Sequence, residues 1–117
     1  TSSDAVLEYS LNTAFDLSDT VTYTGNSYDF SAEDTSPTSV TFSATGTRMF
    51  IVAYGSDVVY QYDLGTGFDL SGSVTYNGIN LDLTSQEGAP FGITFSTDGL
   101  TFFAIGAISD RVHQYSL

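Results

Sequence analysis

An all-β fold built from a repeated four-stranded unit is what the chain predicts, on three observations. Shifting the 117 residues by 53 positions lays Asp4–Leu64 on Asp57–Leu117 without a gap, and 26 of the 61 pairs are identical. Apolar residues alternate with polar ones over short runs, the period of a half-buried strand. No run has the 3.6-residue apolar spacing of a helix. A unit of about 50 residues with four strands has the size of a propeller repeat. A β-sandwich is the runner-up, but sandwiches do not require equivalent strands at a fixed spacing.

The elements follow in order. Thr1–Ser3 reads as a loose end, and Val6–Leu11 alternates around Leu7, Tyr9 and Leu11. Strands are expected near residues 5–11, 17–24, 38–43, 48–54, 58–64, 70–77, 91–96, 101–106 and 111–117. The second and sixth begin from a recurring Phe-Asp-Leu-Ser at Phe15–Ser18 and Phe68–Ser71. Loops are expected at Thr24–Ser36 and Asn77–Ala89, with one extended turn at Tyr28–Phe30. Thr45-Gly46 and Asp98-Gly99 mark tight hairpins, since such pairs accept positive φ. Met49–Tyr54 is almost continuously apolar, which suits a strand covered on both faces. The expected core includes Val40, Phe42, Phe50, Val52, Ile93, Phe95, Phe103 and Ile105. The chain divides into two repeats, 4–56 and 57–109, with a partial third copy at 110–117, all in a single domain of residues 1–117.

Composition excludes several functions. The only cations are Arg48 and Arg111, against 14 acidic residues, for a net charge of −12. Nucleic-acid binding needs a basic face and is excluded as an expectation. Anionic membranes are disfavoured for the same reason, and no run is long and apolar enough to span a bilayer. Cysteine is absent, so neither disulfides nor thiol chemistry are available. No zinc site of the usual kind fits a chain with one histidine, and no cofactor motif or catalytic motif occurs. The abundant Ser and Thr suit exposed β-surface and favour an extracellular or virion-associated protein.

Several residues recur or stand out. Asp16 and Asp69 recur in turns, where Asp accepts backbone N–H bonds. His113 aligns with Tyr60 and Leu7 on the apolar side of a strand and reads as a packing residue. Alternate loops of an up-down unit emerge on the same edge. The loops Thr24–Ser36 and Asn77–Ala89 therefore share an edge with Tyr54–Asp57 and Ala107–Asp110. Binding residues concentrate on such loops. The ligand-site candidates are Glu33, Asp34, Tyr54, Asp57, Glu87 and Asp110, with a plain acidic rim as the bland alternative.

The segments PFGITFSTDG and FFAIG, followed by VHQYSL, resemble the blades of bacterial, archaeal and viral β-propellers of the YVTN and NHL-like kind. The Phe-Asp-Leu-Ser segment is similar to a propeller repeat of bacterial and phage surface proteins. The first copy departs from that pattern, with Thr38-Ser39 in place of Phe-Gly and Thr45 in place of the turn Asp. The resemblance implies about two four-stranded antiparallel blades per chain. It implies fold rather than activity, because propellers host lectins, hydrolases, scaffolds and receptors. A non-catalytic structural or interaction module is expected, with a carbohydrate-binding lectin second and a glycan-acting hydrolase a distant third.

Two blades cannot close a ring, since propellers have 4–8. Labelled A to D from the centre outward, the strands read C-D, A-B-C-D, A-B-C. A homo-oligomer that joins the open ends is therefore expected: four blades from a dimer, six from a trimer, eight from a tetramer, with the trimer favoured. Carbohydrate or another surface protein is the expected partner. Val6–Leu11 and Val112–Leu117 are copies of one strand. The second is expected to hold the shared place, leaving residues 1–11 peripheral.

Overall fold

The computed structural model describes residues 4–117 as nine β-strands, with no helix among them. The loose end expected at Thr1–Ser3 lies outside the described residues. Strands β1 (Ala5–Leu11) and β2 (Val21–Asp29) form a first, two-stranded sheet. Strands β3 (Pro37–Phe42), β4 (Arg48–Ala53), β5 (Val58–Leu64) and β6 (Val74–Asp82) form a second sheet in that order. Strands β7 (Pro90–Phe95), β8 (Thr101–Gly106) and β9 (Val112–Ser116) form a third. All neighbours within the sheets are antiparallel. Up-down pairing through short turns follows from the chain's alternating strands and hairpin dipeptides.

The second sheet lies between the other two. Met49, Ile51 and Ala53 of β4 join Tyr60, Tyr62 and Leu64 of β5 in one core cluster, against which Val6 and Tyr28 of the first sheet pack. Phe50, Val52 and Val59 point the other way. They meet Ile93, Phe102 and Ala104 of the third sheet in a second cluster. Met49–Ala53 is thus covered on both faces, as its unbroken apolar run requires. A bond from the Thr38 hydroxyl to Pro90 O, at 3.0 Å, ties the second sheet to the third.

Two expectations about strands need correction. The segments Phe15–Ser18 and Phe68–Ser71 are turns and not strand starts. Phe15 and Phe68 sit in the left-handed region, at φ 60 and 58. Asp16 Oδ1 accepts the backbone N–H of Ser18 at 2.9 Å, and Asp69 Oδ1 that of Ser71 at 2.8 Å. A local carboxylate–amide bond of this kind competes with sheet pairing and delays the strand. β2 and β6 therefore start late and end late. They run on to Asp29 and Asp82 because Gly25 and Gly78, at φ +87 and +80, absorb a bulge after which pairing resumes. The long loops shrink to one turn each, around Phe30–Ser36 and Leu83–Ala89.

The expected core is met in part, with Phe42, Phe50 and Phe95 packed against the two clusters that hold the deepest side chains. Val52 and Ile93 are buried, but Val40 and Ile105 are exposed and Phe42, Phe50, Phe95 and Phe103 only half-buried. The deepest side chains are Phe30, Met49, Ile51, Tyr62 and Leu83. Both phases of Met49–Ala53 are apolar, so alternation could not say which neighbour each would meet.

The two ends of the chain copy the middle. Leu117 N donates to Leu100 O at 2.9 Å, as Leu64 N donates to Thr47 O at 2.9 Å. Within the single chain Ala5–Leu11 has, among the described residues, no competitor for its place beside β2. It pairs with β2 from Ala5↔Asp29 to Leu11↔Val21.

Candidate functional site

The expected loop edge is assembled by backbone bonds. Tyr54 N donates to Ser36 O at 2.9 Å, and Ala107 N to Ala89 O at 3.0 Å. Each pairing joins the turn after an outer strand to the turn between the second and third strands of the next unit. The turns themselves are built alike. Asp34 N donates to Phe30 O and Glu87 N to Leu83 O, with Phe30 and Leu83 fully buried beneath.

Of the six candidates, Glu87 is the most committed. Its side chain is buried at 1% exposure, and it is the one charged residue among the fully buried side chains described. Its carboxylate accepts the N–H of Ala89 at 3.0 Å, of Ile108 at 3.1 Å and of Ser109 at 3.2 Å. The Ser109 hydroxyl donates to Oε2 as well. These bonds, the Ser109 hydroxyl first, hold the Glu87 carboxyl below its ordinary value of 4.5 despite burial.

Ser109 Oγ also lies 2.9 Å from His113 Nε2. With the hydroxyl proton given to Glu87, the imidazole is the donor in that pair. The order carboxylate, hydroxyl, imidazole ties three side chains in one line of hydrogen bonds and staples the turn before β9. His113 is half-buried and paired with Ala104, in keeping with its expected packing place. Sequence reasoning missed the trio, although Ser56 and Ser109 recur at the 53-residue spacing.

The remaining candidates scatter. Asp34 accepts the N–H of Ser36 at 2.8 Å. Asp57 and Asp110 hold equivalent left-handed turn positions, at φ 57 and 53, where a short polar side chain is tolerated. Burial raises the Asp57 pKa, and the charges of Asp82, Glu87 and Asp34 raise it further. Asp34, Asp57 and Glu87 thus share one acidic neighbourhood, to which Asp82, absent from the candidates, belongs. Glu33 turns inward instead. Its Oε2 is buried without a partner, as is the Tyr62 hydroxyl, and Tyr62's pKa is pushed up by burial and by the Glu33 charge. Among the described residues no group of three or more carboxylates and histidines is placed to hold a metal.

Tyr54 is half exposed and stacks on Phe91 of the third sheet, with centroids 5.6 Å apart and planes at 21°. Phe91, unforeseen from the sequence, completes a flat aromatic surface beside the acidic turns. Thr38 stands at the equivalent position one repeat earlier, so the surface occurs at one junction only.

The opposite edge carries an open cleft of about 890 Å³ between the second and third sheets. Phe42, Phe50, Phe95 and Phe102 line it, with Arg48 and Asp98 at its polar rim. Phe50 and Phe95 touch at 4.5 Å within it. The outer faces are apolar too. Leu7, Tyr9, Leu11, Val21 and Tyr23 are exposed on the first sheet, and Ile105 and Val112 on the third. Comparison of the chain with protein-family models, curated proteins and solved structures found no match.

Proposed function

We propose that the chain is a non-catalytic interaction module, one link in a closed ring of identical chains in which each contributes two blades of a β-propeller. One observation carries this. At the 53-residue spacing, the exposed Tyr9, Leu11 and Tyr23 of the first sheet are the counterparts of Tyr62, Leu64 and Tyr76, which pack at the junction with the second sheet. The exposed Ile105 and Val112 of the third sheet are likewise the counterparts of Val52 and Val59, both buried at the next junction. Once the ends of two copies merge into one blade, each open face lies against the second sheet of the neighbouring copy, where its counterparts already pack within the chain. A head-to-tail contact of this sort closes a ring when its rotation allows, and contiguous apolar faces drive association.

The three-stranded and two-stranded ends combine into one further blade, with β1 and β9 as alternatives for a single position. Three chains give six blades, and the trimer is the state proposed. Native mass spectrometry of the whole chain is expected to give one closed species of three copies. A monomer persisting across the concentration range overturns the ring.

A second reading, carbohydrate binding, draws on the Tyr54–Phe91 surface, since flat aromatic faces suit the apolar side of a sugar ring. A glycan array on the wild type and on Tyr54→Ala tests it. Specific binding lost in the variant is the expected result, and an array without binding removes this reading. An extracellular or virion setting fits both readings.

A further inference from the structure

We infer that the Phe15–Ser18 turn is a latch, and that it seats in the cleft between the second and third sheets of a neighbouring copy. This contact rests on the head-to-tail association proposed above and names the residues that make it.

The chain contains its own precedent. The second Phe-Asp-Leu-Ser turn is docked. Phe68 lies over Gly46 at the β3–β4 hairpin, so closely that a Cβ there would strike its ring. Phe68 N donates to Gly46 O at 3.0 Å, and its ring meets Phe42 at 5.5 Å. Leu70 is buried at 8% exposure in the first core cluster, and its N–H donates to Glu8 Oε2 at 2.8 Å.

The first turn has the same shape and no receptor among the described residues. Phe15 repeats the left-handed φ, 60 against 58, and Asp16 bonds Ser18 as Asp69 bonds Ser71. Yet Phe15 is 102% exposed and Leu17 78%. Conversely, the third sheet has a receptor that no turn among the described residues fills. Gly99, at φ +72, matches Gly46 at +71, but nothing lies within 4 Å of where its Cβ would be. Phe95 and Gln61 stand at the repeat positions of Phe42 and Glu8, and Phe95, Gln61 and Gly99 all line the open cleft.

The fit therefore places Phe15 over Gly99 against Phe95, and Leu17 in the cleft with its N–H on the Gln61 carboxamide oxygen. The turn is already in its docked shape, so little ordering entropy opposes binding. The receptor is the same whether β1 or β9 holds the shared strand position. One mismatch tests the geometry further. Ala14 replaces Gly67, where a Cβ would run into the backbone carbonyl of Thr45, so the arriving turn cannot repeat the Phe68 pose on that side and its backbone must sit further from the hairpin.

The test uses the full chain, which has no cysteine. Chains carrying Leu17→Cys are mixed with chains carrying Gln61→Cys and treated with a short bis-maleimide, whose reach replaces that of the Gln61 side chain, and association is followed in parallel by native mass spectrometry. A cross-link joining the two variants is expected. Phe15→Ala/Leu17→Ala should weaken association by about a hundredfold, the scale of two large side chains left unburied, with an unchanged far-ultraviolet spectrum because both are exposed in the single chain. Ala14→Gly should tighten association. A closed oligomer without the cross-link, and indifferent to the double variant, overturns the latch while the ring stands. The cross-link within an open-ended series of sizes overturns the ring while the latch stands. A monomer without cross-link overturns both.

Discussion

The two junctions that flank the second sheet use the same register and are filled differently. At the first, Phe30, Met49, Ile51 and Tyr62 are all at or below 1% exposure, and Leu70 closes the hairpin end. Aromatic rings meet edge-on there, Phe30 with Tyr60 at 5.4 Å and Tyr28 with Tyr62 at 5.2 Å. At the second, the aligned positions hold Leu83 for Phe30, Phe102 for Met49 and Ala104 for Ile51. Phe102 makes up part of the lost volume by stacking on Tyr115 at 4.6 Å. The hairpin end stays open as the cleft. The difference teaches that a repeat fixes where sheets meet, while the tightness of each meeting depends on which connecting turn arrives to close it.

Truncating one aromatic at each junction should break that comparison if it is false. Phe30→Ala leaves a cavity in a closed cluster and should cost about 5 kcal/mol, the upper end for such a change. Phe102→Ala opens onto the cleft, where neighbours can collapse or water can enter, and should cost about 3 kcal/mol. Equal losses in denaturant unfolding would mean that the second junction is as well filled as the first.

A smaller effect should sharpen the comparison at the opposite edge. Glu87 is bonded to three backbone N–H groups and a hydroxyl, whereas its repeat counterpart Asp34 is bonded to the Ser36 N–H. A carboxyl whose folded pKa is lowered stabilises the fold above its unfolded value, here near 4.5, and the contribution is lost as pH falls through the folded value. The melting temperature of Glu87→Gln should thus lie below wild type at neutral pH, with the gap closing in acid. Asp34→Asn should show a narrower gap. A Glu87→Gln deficit that persists unchanged at low pH would mean shape, not charge, holds the turn.

The strands whose pattern is local were legible in the sequence. Val58–Leu64 and Thr101–Gly106 alternate or run apolar between clear turns, and both stand where the sequence puts them. Asp16 and Asp69 accept the backbone bonds expected of them. The turn at Asp16 and Asp69 was legible, but the strands were begun inside it, at residues 17 and 70, because apolar Leu looks like a strand residue; two short side-chain bonds hold the chain in the turn until Val21 and Val74. Core phase failed at Val40 and Ile105 because burial there depends on whether another sheet lies across the face. On the loop edge, Tyr54 could be named but not Phe91, since stacking joins residues of two sheets far apart in the chain. Glu87 could be named, but that it is buried and bonded rather than open to a ligand is a property of the turn around it.

Leu117 sits against Leu100 as Leu64 sits against Thr47, and Leu11 holds the same place in the repeat. Leu117 therefore stands one residue before the place that Asn12 would take. A gene fusion joining Leu117 of one copy to Asn12 of the next keeps the 53-residue phase with no linker. It also removes the duplicate strand. Serial fusion would turn a contact governed by concentration into one governed by tether length, and the number of copies written into the gene would set the size of the array.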